Sequence, residues 1–240
     1  MPVAPIRRRK LSEEVAERIE ALIAGGTYPR GTLLPPEREL MQLFGIGRPS
    51  IREALFALSR MGLVTISSGE RARVTTPTPD RLITELSGAV RHFLTRPNAA
   101  AHFQEARALF EIGIVRIAAT RRTAEDLERL EHALHLNAEA RGDPGRFERT
   151  DVGFHYVLAT ITGNPIFTAV HDALVDWLTS QRTIALSVAG VEAAALAAHQ
   201  RIFDAVRQAD PNAAGEAMAG HLQEISEIIQ RASACAATER

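Results

Sequence analysis

Three things are scarce in this sequence: cysteine, long apolar runs and net charge. The single thiol, Cys235 in "RASACAATER", excludes an internal disulfide and any cysteine-based zinc site, and it fits a reducing compartment. No window approaches the roughly 18 consecutive apolar residues of a membrane span. The basic start "MPVAPIRRRK" is not followed by the apolar stretch of a secretory signal, so the expected location is the cytoplasm. With 45% hydrophobic and 24% charged residues, the 240-residue chain has a globular composition and is long enough for one large or two smaller domains.

The formal net charge of -1 hides an asymmetry. Residues 1–79 carry 12 Lys and Arg against 8 Asp and Glu, leaving 16 against 21 for the remainder. A basic front and an acidic back suit a polyanion-binding domain joined to a domain with another task.

The first 75 residues read as three helices and a hairpin. "LSEEVAERIEALIAGG" offers Ser12 as an N-cap, Glu13 and Glu14 in the first turn, and Val15, Ile19, Leu22 and Ile23 at helical spacing before a Gly-Gly stop. "PPERELMQLFG" begins with proline, and "RPSIREALFALSRMG" follows after a short turn and ends at Gly62, a helix-turn-helix spacing. "LVTISSGERARV" then places two short strands around Ser68 and Gly69. A recognition helix followed by a hairpin is a winged helix.

These residues resemble the DNA-binding domain of GntR-type bacterial regulators of the FadR subfamily. The likeness runs through "GTLLPPERELMQLFGIGRPSIREALFALSRMGLVTISSGERARV" in order. It implies that Arg38 at the start of the second helix, and Arg48, Ser50 and Arg52 early in the third, meet DNA. An arginine can grip a guanine edge with two hydrogen bonds, and a recognition helix presents its N-terminal residues to the bases. The alternative for Arg52 is a surface ion pair with neighbours such as Glu53. Ser68 and Gly69 would form the wing tip in the minor groove. Here the sequence reads "GERARV" where the family commonly has G-x-G-T, so the resemblance assigns no contact to Glu70 or Arg71. "RRRK" at 7–10 is either a further set of phosphate contacts or an unstructured basic arm.

"TTPTPD", residues 75–80, breaks the pattern with two prolines. The expected organisation is a winged helix-turn-helix over 1–75, a linker over 76–80, an all-helical domain of six or seven helices over 81–233, and a tail over 234–240. The fold class is mainly α with one small β-hairpin. Beyond the linker no stretch alternates as a strand would, and "RPN", "RGDPG", "GNP" and "ADPN" separate the helical periods.

Inside the second domain, "RTDVGFHYVLA" puts Asp151 and His155 one turn apart on a largely apolar helix, where neither can be buried without a partner. His199 is in line with Leu196, Phe203 and Val206, and His221 with Met218, Ile225 and Ile228, so both point inward. His132, His135 and His171 read instead as hydrogen-bonded core histidines. One carboxylate and three imidazoles form a donor set suited to zinc, with nickel or manganese as alternatives. The spacing D-x-x-x-H, then two histidines on the closing helices, is similar to the FCD effector domain of FadR-type regulators. That resemblance implies a divalent metal held by Asp151, His155, His199 and His221, with a small carboxylate effector completing its coordination.

The same resemblance places an arginine at Arg107 in "HFQEARALFEIGIVRIAA" to meet the effector's carboxylate, to which a guanidinium fork is matched. The competing reading is an intrahelical pair with Glu111. Asn164 in "GNPIF" reads first as an N-cap before Pro165 and second as an effector contact. "SSGERARV", "HFQEARALFE" and "DVGFHYVLATITGNPIFTAVHDALVDWL" resemble the sialic-acid-responsive branch of the family, which implies N-acetylneuraminate as effector; a hexuronate or hydroxy acid is the alternative. A metal-dependent hydrolase is the rival class, but "DVGFH" lacks the glutamate base of H-E-x-x-H. The expected protein is a cytoplasmic, homodimeric regulator of double-stranded operator DNA, because one recognition helix contacts too few bases for selectivity.

Overall fold

The computed structural model describes residues 10–179, 183, 188 and 190–238. Arg7, Arg8 and Arg9 of the basic arm and the last two residues of the expected tail lie outside them. The chain divides into two compact units, residues 1–85 and 86–240. Among the described residues the fold is mainly helical, with ten helices and one two-stranded antiparallel sheet.

In the first unit, α1 (Leu11–Ala24), α2 (Glu37–Phe44) and α3 (Arg48–Arg60) enclose one core. Val15, Ile19, Leu34, Leu40, Ile51, Leu58, Val64 and Val74 fill it. Ser12 is not the N-cap of α1. The Lys10 carbonyl already accepts from the Glu13 and Glu14 amides at 3.0 and 3.3 Å, so Ser12 falls inside the first turn and is buried. Between α2 and α3 the chain turns at Gly45, whose φ of 66° lies in the left-handed region that a Cβ disfavours. The Gly45 amide closes α2 on the Met41 carbonyl, and α3 restarts three residues later.

The wing is β1 (Val64–Thr65) and β2 (Arg73–Val74), with Val64 opposite Val74. Gly69 at its tip has φ 78°, the conformation the glycine was expected to supply. Leu33 adds an isolated bridge to Arg73, a third extended segment that its neighbouring Gly and Pro residues conceal in the sequence.

The second unit holds α4 (Pro79–Phe93, whose first turns fall in the first unit), α5 (Ala99–Arg121), α6 (Ala124–Glu139), α7 (Pro144–Ile161), α8 (Pro165–Trp177), α9 (Val191–Arg207) and α10 (Pro211–Thr238). Helix α4 starts at Pro79, so only residues 76–78 of the expected linker are non-helical. Proline at N1 loses no hydrogen bond and can open a helix. Helix α10 runs to Thr238, through most of the expected tail; the Ala-rich "ASACAAT" continues a helix readily. Helix α10 packs along α5 and α9, and α6 along α7. Their shared core contains Ile114, Val115, Leu130, Phe154, Leu158, Ile202, Phe203, Val206, Met218 and Leu222. Thr123 and Asp126 form a reciprocal capping box at the start of α6, and the Asp143 and Asn164 side chains cap α7 and α8. No helix among the described residues is long and apolar enough to cross a membrane.

Candidate DNA interface and candidate metal centre

On the first unit, Arg38, Arg48 and Arg52 are exposed, and Ser50 is half-buried beside them at the start of α3. Arg52 does not pair with Glu53, which faces Lys10 at 3.5 Å. Instead Glu37, at the first position of α2, receives both recognition-helix arginines: Arg48 Nε at 3.4 Å and Arg52 Nε at 3.6 Å. The arginine side chains keep 63% and 71% of their exposure, so these pairs are weak and the guanidinium groups remain available to a stronger anion. Ser68 and Gly69 stand exposed at the wing tip. A cleft of about 590 Å³ separates α3 from the wing, lined by Arg52, Phe56, Ile66 and Arg71 among others.

In the second unit, four donors converge. Asp151 and His155 share one face of α7, while His199 comes from α9 and His221 from α10; their donor atoms lie within 4.8 Å of one another. All three histidines are at most 3% exposed. His199 Nε2 is 3.5 Å from Asp151 Oδ1. The rings interlock: His155 stacks on His221 with centroids 5.4 Å apart, and His199 meets His221 edge-on at 4.8 Å. Both nitrogens of His155, Nε2 of His199 and Nδ1 of His221 are buried without a hydrogen bond among the described residues.

Several unsatisfied imidazole nitrogens in one core are costly. A divalent cation takes one nitrogen from each of the three rings together with the Asp151 carboxylate, so the residues fit such an ion. Their protonation states agree. Burial, first of all, pushes His199 down to about 4, and burial together with His199 and His155 holds His221 well below its ordinary value. Both rings are therefore neutral near pH 7, with lone pairs free to ligate.

Around the four donors stands a second set that the sequence did not single out. Asn137 of α6, fully buried, places Oδ1 3.0 Å from His199 Nδ1 and so orients that ring with Nε2 toward Asp151. Glu111 of α5 lies with Oε2 2.5 Å from His155 Nδ1, in ion-pair contact, while its Oε1 accepts from Arg107 Nε at 2.5 Å. Burial alone would raise the Glu111 carboxyl; Arg107 and His155 outweigh it and hold the group well below the usual range. Arg107 is itself 7% exposed and, although burial opposes its charge, Glu111 and then Asp151 keep it charged. The intrahelical pair therefore exists, and the Arg107 terminal nitrogens make no hydrogen bond among the described residues. Asn164 caps α8 by accepting from the Ile166 amide at 3.0 Å.

His171 is buried as expected, its Nδ1 3.2 Å from Asp172. His132 and His135 are not core residues: both are exposed, and His135 pairs with Glu139 at 3.1 Å. Helix α6 turns Leu130, Ala133 and Asn137 inward, which leaves positions 132 and 135 on the outer face.

Residues 11–74 match the family of bacterial regulatory proteins called gntR, and residues 102–224 match the FCD domain. The chain belongs to the GntR family. A repressor named HTH-type transcriptional repressor NanR from Cronobacter sakazakii is 48% identical over 223 residues, covering 92% of this chain and 86% of that protein. The repressor of the same name from Klebsiella aerogenes is 46% identical over 227 residues, again 92% and 86%. Among solved structures, a Streptococcus agalactiae GntR protein superposes with a TM-score of 0.61 at 27% identity, over 89% of this chain and 98% of that one. This GntR-family chain is thus a metabolite-responsive, DNA-binding transcriptional regulator and not an enzyme, as the resemblance implied.

Proposed function

We propose that this chain is a homodimeric, cytoplasmic repressor of sialic acid uptake and catabolism genes, released from its operator by N-acetylneuraminate. The observation that carries the reading is the buried set of Asp151 and three imidazoles with partnerless nitrogens, inside the helical unit of a DNA-binding regulator.

Asp151, His155, His199 and His221 would hold the ion, zinc first and nickel or manganese as alternatives. When bound, such an ion would supply Lewis acidity toward an effector's carboxylate. The remaining work belongs to the chain. Arg107 directs its terminal nitrogens to the effector's carboxylate, and its charge, secured by Glu111, is present at every physiological pH. Asn164 spends its oxygen on the α8 cap and keeps its amide nitrogen as a donor to the effector. The preference for N-acetylneuraminate rests on the segments that resemble the sialic-acid-responsive branch and on the NanR relatives. A hexuronate or hydroxy acid shares the carboxylate and is the second choice.

At the other unit, Arg38, Arg48, Ser50 and Arg52 read or position the major groove, and Ser68 and Gly69 enter the minor groove. Glu37 releases Arg48 and Arg52 to the DNA at little cost, because both pairs are solvent-exposed. Release by effector requires that the ligand bind the DNA-free state better. A coupling of roughly 1 to 3 kcal/mol changes operator affinity about 5- to 150-fold, and operator must weaken the ligand by the same factor. Calorimetric titration of N-acetylneuraminate into metal-loaded protein, with and without operator, measures both sides. Equal ligand affinity in the two titrations refutes release by this compound, and no binding transfers the effector role to another carboxylate.

A further inference from the structure

Glu111 is the one buried carboxylate among the described residues, and it faces two functional groups. It projects from α5 and is 5% exposed. One oxygen accepts from Arg107 Nε, and the other abuts His155 Nδ1. Arg107 lies one turn earlier on the same helix, while His155 reaches across from α7.

We propose that Glu111 is the positioning residue that joins the effector arginine to the metal centre. Its Oε2 fixes the His155 ring with Nδ1 as donor and Nε2 as ligand, while its Oε1 shares the same negative charge with Arg107. The inference rests on the metal-centred reading of the helical unit.

The physical argument starts from His155. Both of its ring nitrogens are otherwise partnerless, so its tautomer is undefined unless something accepts from one of them. Glu111 Oε2 is the atom within reach of Nδ1, and it too has no other partner. A carboxylate accepting from the remote nitrogen of a ligating imidazole sets its orientation and raises its basicity, and loss of such a partner typically costs about 10- to 100-fold in metal affinity. His199 has a neutral counterpart in Asn137, so the two rings are oriented by different chemistry. Only the His155 arm carries charge, and only that arm is shared with Arg107. When an effector's carboxylate draws the guanidinium's positive charge toward itself, Glu111 is left a stronger acceptor for His155. Ligand and metal then tighten each other by equal factors, as linkage requires.

The test is cobalt(II) and zinc binding to the full chain without effector, by competition against a chelator, with the visible absorption band of the cobalt protein as second readout. Glu111→Gln should weaken the metal about 10- to 100-fold and shift the cobalt band. That variant leaves Arg107 buried without a counter-charge and can fail to fold. The double variant Arg107→Met, Glu111→Met removes the ion pair as a unit, a replacement that proteins tolerate well. It should fold, shown by an unchanged circular-dichroism spectrum, and should display the same weakened metal and shifted band. Wild-type metal affinity and an unaltered band in the folded double variant overturn the role of Glu111 and leave the metal centre standing. Absence of any metal binding by the wild-type chain overturns both.

Discussion

Lowering the pH should destabilise the metal-free protein well before its carboxylates titrate, and His199 sets the size of the effect. In the unfolded chain this histidine takes up a proton near its ordinary value of 6.5; in the folded core burial delays uptake to about 4. Between those values the unfolded state binds a proton that the folded state does not, so stability falls as pH falls through this window and the loss is complete below about 4. At ~1.4 kcal/mol per pH unit, the gap corresponds to about 3 kcal/mol, of which about 2 kcal/mol is already lost at pH 5. His221 and His171 are displaced in the same direction, each by burial first, and add to the loss. Glu111 acts in the same sense but only as the pH falls through the ordinary glutamate value of 4.5 and below, so it contributes little above pH 5. The assay is urea unfolding of chelator-treated protein at pH 7.5 and pH 5, followed by far-ultraviolet circular dichroism. Comparison with His199→Asn isolates the residue, because only the difference between the two pH values matters and any packing loss cancels. The variant should lose roughly 2 kcal/mol less than the wild type on acidification. An identical acid loss in both proteins refutes the argument that a buried neutral imidazole at position 199 governs it.

Replacing Arg48 or Arg52 by alanine should cost about 1 to 3 kcal/mol of operator affinity each, if each makes a paired base contact, with the circular-dichroism spectrum unchanged; gel shifts with wild-type affinity would remove both from the interface. His155→Ala should lose metal after equilibration with zinc and removal of free ion, and equal stoichiometry by elemental analysis in variant and wild type would sink the ligand assignment. Arg107→Ala should abolish the effector response, read as effector-induced loss of the gel-shift complex, while operator binding persists. It should also cost about 3 to 5 kcal/mol of stability in urea, because it strands the buried Glu111 charge; normal induction would refute the effector role. Leu158→Ala, in the helical core, should cost about 2 to 5 kcal/mol in the same unfolding measurement, and a change under 1 kcal/mol would mean that α7 is not packed as described.

Local order in the chain was enough for the winged unit. The proline before α2, the glycine after it, the α3 frame and the glycine at the wing tip each act on the backbone within a few residues, so their consequences can be read one residue at a time. The inward histidines were legible for a similar reason. Helical periodicity puts His199 in line with Phe203 and Val206, and His221 with Met218, and a residue in such a row must face the core. The same rule gave Asp151 and His155 a common face. It failed for His132 and His135, where α6 is amphipathic with a narrow apolar stripe and both residues fall outside it. The cap of α1 also escaped, because the Lys10 carbonyl starts the helix two residues earlier than a side-chain preference for Ser12 suggests.

What only the tertiary structure decided is who stands behind the ligands. Nothing in α6 marks Asn137, and nothing in α5 marks Glu111 beyond an ordinary i,i+4 spacing to Arg107. Their roles come from α5 and α6 crossing α7 and α9 at one depth, which brings Glu111 to His155 and Asn137 to His199 across 44 and 62 residues of chain. Sequence periodicity fixes which way a side chain faces along its own helix. It carries no information about the height at which a second helix meets that face, because that height is set by how all the core side chains pack together.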